Sequence, residues 1–260
     1  MGLRRLAIFS ALGVFTFYAL LIASLGYFFR VDQIISLWSS ERTFFTIKLS
    51  VAAATLAATI ALVIAVPAAY ALSRFEFKGR LLADTILEFP IIVSPAALGA
   101  ILLVFFYNRA GEWMQEHVIT FVFTFAGIVL AQFVTVLGIA TRFVKTALDE
   151  IPADYERVAR SLGAGPFRAF ATTTLPLAKR GLFTALVLSW AKAMGEFGAT
   201  ITVAGTMAMR TETLPVAIYM RLSTADIEGT VALILLLLVI GLGSLFAVRW
   251  ISRKRAHVEA

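Results

Sequence analysis

The chain has 260 residues, of which 60% are hydrophobic and 15% are charged, and its formal net charge is +7. Soluble domains are about 45–50% apolar and about 25% charged, so the composition excludes an ordinary water-soluble domain. The absence of cysteine excludes disulfides and thiolate metal sites, and His117 and His257 form no metal-ligand pattern, so we expect no metal. The basic residues are separated by hydrophobic runs, which indicates membrane topology rather than nucleic-acid binding.

Six apolar runs are long enough to cross the roughly 30 Å hydrocarbon layer of a membrane as helices. The predicted spans are 6–29, 44–72, 84–107, 118–142, 182–206 and 229–250. Six spans place both termini on one side, and most of the 23 basic residues then lie on that side, which we expect to be the cytoplasm. The sequence therefore predicts an all-α membrane protein, with residues 1–260 forming a single transmembrane domain.

The first predicted span begins after Arg4 and Arg5, as a secretory signal peptide would. Its apolar run continues from Leu6 to Phe29, however, and a signal peptide has an apolar region of only about 7–15 residues. We therefore expect a helix that is retained in the protein and anchors it in lipid.

The third predicted span contains Pro90, Ser94 and Pro95. A proline within a helix removes a backbone donor and kinks the helix, and in a membrane the freed carbonyls need neighbouring helices or a watery cavity. The two prolines indicate either a kink that serves packing or a break that lines a pathway. Gln132 in the fourth span is more typical of a hydrogen bond between helices.

The segment 143–181 is the longest polar stretch, and its first part has helical periodicity. The apolar residues at i, i+3, i+4 and i+7 are Tyr155, Val158, Ala159 and Leu162. The residues on the opposite face are Glu156, Arg157, Arg160 and Ser161. This spacing predicts an amphipathic helix over 152–163 that ends at Gly163. A second short helix is expected from Pro166, burying Phe167 and Phe170 and ending at Pro176.

An amphipathic hairpin of this kind has two interpretations. It can lie on the bilayer surface, where aromatic and basic residues are favourable. It can instead insert one helix into a groove on a cytoplasmic partner protein, because a short helix with an apolar stripe and charges suits such a groove. Periodicity alone does not separate these two possibilities.

Lys192 and Glu196 lie four residues apart within the fifth predicted span. Each charge in the centre of a membrane helix costs roughly 2.5–3.5 kcal/mol on insertion scales, so both should face the bundle interior or a water-filled cavity. One interpretation is a mutually neutralised pair that keeps neighbouring helices in register. The other is an anion path in which Lys192 supplies positive potential and Glu196 fixes its position, with hydroxyls such as that of Thr200 nearby.

The loop resembles the so-called EAA loop of the membrane subunits of ATP-binding-cassette importers. The matching positions are Glu156, Val158, Ala159, Gly163, Leu175 and Pro176, with Val158 replacing the first alanine of the motif. The resemblance implies a type I importer permease architecture with a coupling helix in the cytoplasmic loop 143–181. The residues that it implies for contact with the ATPase are Tyr155, Glu156, Arg157, Val158, Ala159, Arg160, Leu162 and Gly163.

The same resemblance implies how the chain is energised. No G-x-x-x-x-G-K-S/T phosphate loop occurs, so we expect the chain not to be an enzyme and to bind no cofactor. ATP and Mg²⁺ would be used by a separate cytoplasmic ATPase dimer. The resemblance further implies a homodimer, an extracytoplasmic oxyanion-binding protein and the cytoplasmic membrane of a prokaryote.

The segment Gly195-Glu-Phe-Gly-Ala-Thr-Ile201 resembles the corresponding helix of molybdate permeases and, less closely, that of sulfate and tungstate permeases. The expected substrate is therefore molybdate or tungstate, with sulfate or another anion as the alternative. The path residues implied are Pro90, Ser94, Pro95, Lys192, Glu196 and Thr200. A rival from another class is an ion-coupled secondary transporter that uses Lys192 and Glu196. Against it, the sequence shows no inverted repeat, and the long loop would have no partner.

Overall fold

The structure, a computed structural model, describes residues 2–256, and His257 lies outside them. Within those residues the chain is helical and contains no strand. In chain order the helices are α1 Leu3–Ser24, α2 Val31–Ser39, α3 Glu41–Arg74, α4 Arg80–Leu87, α5 Phe89–Ile92, α6 Pro95–Phe106, α7 Arg109–His117, α8 Phe125–Asp149, α9 Asp154–Ser161, α10 Pro166–Ala169, α11 Leu175–Met194, α12 Gly198–Ala204, α13 Leu214–Ser223 and α14 Ile227–Ala256, with a 3-10 turn at Leu25–Phe28 and a π-helical turn at Phe170–Thr174. The predicted all-α class is confirmed.

Within residues 2–256, four stretches are long and apolar enough to cross a membrane unbroken. They are Leu3–Phe28, Glu41–Arg74, Phe125–Asp149 and Ile227–Phe246. The helix pair Arg80–Ile92 and Pro95–Phe106 is also long and apolar enough when taken together, but its two parts meet at 111°, as in a broken span or a re-entrant loop. Several apolar crossings make this a multi-pass membrane protein.

The predicted span 84–107 is therefore not one helix. Ser94 caps the N-terminus of α6 by accepting a hydrogen bond from the Ala97 N–H at 3.3 Å, and Pro95 occupies the first turn. A residue before proline is disfavoured in the helical region, and Ser94 is extended, with φ −61° and ψ 147°. The proline pair predicted a kink or break, and the structure shows a sharp break at Val93 and Ser94.

The predicted span 182–206 is also interrupted. α11 ends at Met194 and α12 begins at Gly198, and α11 carries three basic residues, Lys179, Arg180 and Lys192. The span predicted from residue 118 begins instead at Phe125, because the Thr124 side chain accepts a hydrogen bond from the Gly127 N–H and caps α8. In the part of the chain that the structure describes, the predicted six spans thus correspond to four unbroken helical spans, one bent helix pair and the interrupted pair α11 and α12.

The core lies where α3 and α8 pack together, with α11 against both. One stripe of α3 is almost entirely alanine and fully buried. Its members are Ala53, Ala54, Ala57, Ala58, Ala61, Ala65 and Ala69. Small side chains allow membrane helices to approach closely, and here the stripe packs with α8, in one cluster with Val136, Ala140 and Val144 and in another with Ile128 and Val129. α1, by contrast, has no buried residue, which suits the lipid-facing helix expected from its sequence.

The second helix of the predicted hairpin, which follows α9, differs from its prediction. Phe167 is exposed, whereas Phe170 packs against the ring of Tyr70, with centroids 4.5 Å apart. Pro176 does not end the helix, because α10, the π-helical turn and α11 follow one another without a gap. The Leu175 N–H donates to the Phe170 carbonyl five residues back, and Pro176 lies in the next turn, where a missing N–H is tolerated.

Candidate functional site

α9 forms where the sequence predicted the amphipathic helix. Asp154 and Glu156 lie in its first turn and Arg160 in its last, the arrangement that complements the helix dipole. Gly163 follows the helix with φ +91°, a left-handed conformation that glycine adopts without strain. These local signals explain why a helix of only eight residues is well bounded.

Glu156 faces the body of the protein. Its Oε2 accepts a hydrogen bond from Tyr70 Oη at 2.7 Å, and its Oε1 accepts one from Thr174 Oγ1 at 2.5 Å. The Arg74 Nε lies 3.3 Å from Oε1, and the two charged side chains are only 11% and 12% exposed. Burial opposes ionisation, but the hydrogen bonds from Thr174 and Tyr70 and the charge of Arg74 outweigh it and hold the pKa of Glu156 below its usual value. Glu156 is therefore an ionised anchor of α9.

The apolar stripe of α9 faces outward. Tyr155, Val158 and Leu162 are 54%, 59% and 83% exposed. The sequence placed Glu156 on the polar face opposite this stripe, and Glu156 alone of that face is directed toward the protein, since Arg157, Arg160 and Ser161 are exposed. An exposed apolar stripe on a helix outside the spans suits a protein groove or the bilayer surface.

The remaining predicted residues of the loop lie at the edges of this stripe. Arg157 forms a 2.5 Å ion pair with Asp154, and both side chains are 73% exposed. Ala159 is half-buried, and Arg160 and Gly163 are exposed. The eight residues predicted for this contact therefore lie on α9 or on the two residues that follow it, with Glu156 directed inward, Ala159 half-buried and the other six exposed.

Sequence reasoning missed the three partners of Glu156. Tyr70 and Arg74 come from the end of α3, and Thr174 comes from the π-helical turn. Arg74 also donates to the carbonyls of Leu148 and Ile151, at 3.1 and 2.7 Å. The only signal in the sequence was a tyrosine and an arginine one turn apart at the end of an apolar span.

The second candidate region lies at the break between α11 and α12. Lys192 Nζ is 3.2 Å from Glu196 Oε2, so the predicted pair is present. The other oxygen, Oε1, accepts a hydrogen bond from the Ala199 N–H at 3.1 Å and so holds the first turn of α12. The exposure is uneven, since the Glu196 side chain is 1% exposed and that of Lys192 is 43% exposed.

The start of α12 packs closely against the start of α6. A Cβ atom added to Gly198 would lie 2.8 Å from the Ala96 N and 3.1 Å from the Pro95 Cβ. One added to Gly99 would lie 2.7 Å from the Thr202 Cβ. The two broken spans therefore meet at their breaks, through glycines that no larger residue can replace without movement.

The predicted path residues do not all lie together. Pro95 and Glu196 lie on either side of the contact between α6 and α12, and Ser94 is exposed next to Pro95. Pro90 lies away from this contact, near Gly138 of α8. Thr200 is fully buried, and its hydroxyl has no hydrogen-bond partner among the described residues, so it does not line an open surface of this chain.

Gln132 differs from its prediction. Its side chain is 1% exposed on α8, but the predicted interhelical hydrogen bond is not formed through Oε1, which lacks a partner within residues 2–256. In that same part of the chain, no three His, Cys, Asp or Glu residues are arranged to hold a metal ion.

A polar cluster lies at the other end of α3. Arg42 donates to both oxygens of Glu212, at 2.7 and 2.6 Å, and the carboxylate is 2% exposed. Ser50 accepts a hydrogen bond from the Leu214 N–H at 2.8 Å, which fixes the start of α13 on α3. Arg221 pairs with Asp226 beside a cavity of about 330 Å³. The sequence analysis did not predict these pairs.

Residues 58–257 match the family model described as the binding-protein-dependent transport system inner membrane component. The chain belongs to this family. The match includes the second half of α3, the bent pair, α9 and the break between α11 and α12. The chain is therefore a permease component of an ATP-binding-cassette importer, as the EAA-like loop predicted.

Two curated relatives are similar to this permease in sequence, and one solved structure is similar to it in fold. It is 35% identical over 220 residues to the molybdenum transport system permease protein ModB of Escherichia coli K12, covering 81% of this chain and 95% of ModB. It is 31% identical to the sulfate transport system permease protein CysT of the same organism, covering 72% of this chain and 68% of CysT. A bacterial transporter that imports the acidic polysaccharide alginate has the same fold, with a TM-score of 0.77, 18% identity and 96% coverage of both chains.

Proposed function

We propose that this permease forms the path by which molybdate, or the similar dianion tungstate, enters the cell. The observation that carries this proposal is the 35% identity to ModB, which extends over 95% of that protein. Sulfate is the second candidate, since a sulfate permease is 31% identical over a shorter region. All three are tetrahedral oxyanions, and Lys192 is the half-exposed cation of the second candidate region.

ATP hydrolysis takes place in a partner, and this chain binds neither ATP nor Mg²⁺. The outward stripe of Tyr155, Val158 and Leu162 supports a docking site for a cytoplasmic ATPase, with one ATPase on each of two permeases. This assembly places α9 and both termini in the cytoplasm of a prokaryote, consistent with the distribution of basic residues. An external oxyanion-binding protein docks at the end that carries Arg42 and Glu212.

Two copies of the chain enclose one path, which opens alternately to either side. The paired breaks at Ser94 and Gly198 support this role, because interrupted backbone at membrane depth is tolerated where it lies within protein or lines a cavity. Lys192 raises the electrostatic potential near these breaks. Glu196 accepts hydrogen bonds from both Lys192 and the Ala199 N–H, and so fixes the position of the lysine relative to α12. The carboxylate also limits how strongly the site attracts an anion, which allows release.

The test is uptake by proteoliposomes that contain the permease, its ATPase and its binding protein. We expect radiolabelled molybdate to accumulate when ATP is supplied to the ATPases, with tungstate as an effective competitor and sulfate as a weaker one. Leu162→Asp should abolish uptake because it places a charge in the apolar stripe. Leu177→Asp is the control, since Leu177 is also exposed, at 54% against 83% for Leu162, but lies on α11 outside the stripe.

Two results would contradict the proposal separately. Oxyanion uptake by the permease alone, driven by a proton gradient, would replace the importer mechanism with secondary transport. ATP-dependent uptake of sulfate in preference to molybdate and tungstate would retain the mechanism and change the substrate.

A further inference from the structure

α9 has few attachments to the rest of the permease. None of its residues is fully buried, and only Glu156 and Ala159 are half-buried. The backbone connects α9 to the rest of the protein through Ile151 on one side and Gly163 on the other. Any force that a partner applies to α9 must therefore pass through the flanking backbone or through Glu156.

Glu156 is bonded to two separate helices at once. Tyr70 and Arg74 belong to α3, and Thr174 belongs to the turn that leads into α11. Both carboxylate oxygens are used, and hydrogen bonds to an ionised group are shorter and stronger than neutral ones. Arg74 also bonds the Ile151 carbonyl at 2.7 Å, which ties the segment before α9 to the same point.

The π-helical turn sets the position of Thr174. A π-helical turn contains an extra residue relative to an α-helical one, and each residue of an α-helix turns the chain by about 100°. Without the extra residue, Thr174 would face a different direction and could not reach Glu156. The same turn places Phe170 on the Tyr70 ring, so the donors are held by packing as well as by hydrogen bonds.

We propose that Tyr70, Arg74 and Thr174 are positioning residues that hold Glu156 and thereby transmit the displacement of α9 into α3 and α11. We call these four residues the α9 latch. The inference rests on the proposed coupling to an ATPase and adds the residues through which it acts. α3 spans the membrane in one piece and ends at the polar cluster of Arg42 and Glu212, so a displacement at the latch reaches the far side along a single helix.

The latch makes a distinct prediction for variants that lose one hydroxyl. Tyr70→Phe and Thr174→Val leave the outward stripe of α9 unchanged, so the ATPase should remain bound in the same ratio to the permease. The transmitted displacement should weaken, because Glu156 keeps fewer contacts. Thr172→Val is the matched control, since Thr172 is exposed and its hydroxyl bonds the Arg168 carbonyl of its own helix.

The experiment measures ATP hydrolysed per oxyanion imported in the reconstituted complex with its binding protein and molybdate. We expect Tyr70→Phe and Thr174→Val each to raise this ratio about tenfold, the change that loss of one hydrogen bond to a charged group produces. Thr172→Val should retain the wild-type ratio. In a Glu156→Gln background, the two hydroxyl variants should have much smaller additional effects.

Several outcomes would overturn the latch. A wild-type ratio in both hydroxyl variants would show that Glu156 transmits nothing through these contacts. Loss of bound ATPase in proportion to the loss of uptake would show a purely structural role. If wild-type complexes themselves showed no ATP-dependent uptake, both the proposed function and the latch would fail. If the wild type and the variants hydrolysed the same amount of ATP per oxyanion imported, only the latch would be refuted.

Discussion

Two buried carboxylates of this permease, Glu156 and Glu196, are stabilised in different ways. Glu156 accepts from donors on α3 and on the π-helical turn, which lie 86 and 18 residues away in the sequence. Glu196 is satisfied locally, by Lys192 four residues earlier and by the Ala199 N–H three residues later. The first arrangement joins separate helices and can transmit movement, whereas the second fixes the shape of one break.

Replacing Glu156 should have the largest effect. Glu156→Ala leaves the nearly buried Arg74 without its carboxylate, and breaking a buried ion pair costs about 3 kcal/mol or more. We expect uptake to be abolished and the thermal stability of the permease in detergent to fall. Glu156→Gln, which preserves size and part of the hydrogen bonding, should retain most of the stability and lose coupling. Equal stability of the Ala variant and the wild type would contradict the anchoring role.

Replacing Lys192 and replacing Glu196 should lower the stability of the permease by different amounts. Lys192→Met leaves a carboxylate that is 1% exposed without its counter-ion, whereas Glu196→Gln leaves a lysine that is 43% exposed and can reach water. We expect Lys192→Met to destabilise the permease by about 2 kcal/mol and Glu196→Gln by less. Unfolding temperatures in the same detergent give the comparison, and the reverse order would show that Glu196 is not the buried partner.

Enlarging a glycine at the contact between α6 and α12 should have a smaller effect on stability, and a nearby glycine provides the control. Gly198→Ala places a methyl group 2.8 Å from the Ala96 N, so the two helices must separate, at a cost of about 1–2 kcal/mol. Gly195→Ala, three residues away, meets nothing nearer than 3.8 Å. The first variant should lower both thermal stability and uptake, and the second should resemble the wild type. A destabilised Gly195→Ala together with a neutral Gly198→Ala would contradict this packing.

The change with pH in the contribution of Glu156 to stability should be the smallest effect. Its pKa is lowered in the folded protein, so its contribution to stability is fully present above the ordinary glutamate value of about 4.3 and is lost as the pH falls through the lowered value. The difference in unfolding temperature between the wild type and Glu156→Gln should therefore be constant from about pH 6 to pH 8 and disappear in stronger acid. A difference that disappears near neutral pH would indicate a raised pKa instead.

The same contrast shows how far the sequence could predict the molecule. α9 was predictable because its periodicity, acidic first turn and terminal glycine are all local, and so was the pairing of Lys192 with Glu196. The partners of Glu156 were not, since Tyr70 and Arg74 are 86 and 82 residues away. The prolines at 90 and 95 indicated a kink or a break, but they did not give the 111° angle between the two helices. The prediction that Phe167 is buried was wrong because apolarity alone does not show which side of a short helix faces the protein.

The most direct test of the account measures the affinity of the detergent-solubilised permease for its ATPase subunit in three forms: wild type, Leu162→Ala and Glu156→Gln. We predict that Leu162→Ala weakens binding by about tenfold, because Leu162 lies in the outward stripe. Glu156→Gln should bind with wild-type affinity and yet fail to couple ATP hydrolysis to uptake. The opposite result, with Leu162→Ala unchanged and Glu156→Gln unable to bind, would show that the ATPase contacts the carboxylate directly and would contradict the assignment of an outer binding face and an inner anchor to α9.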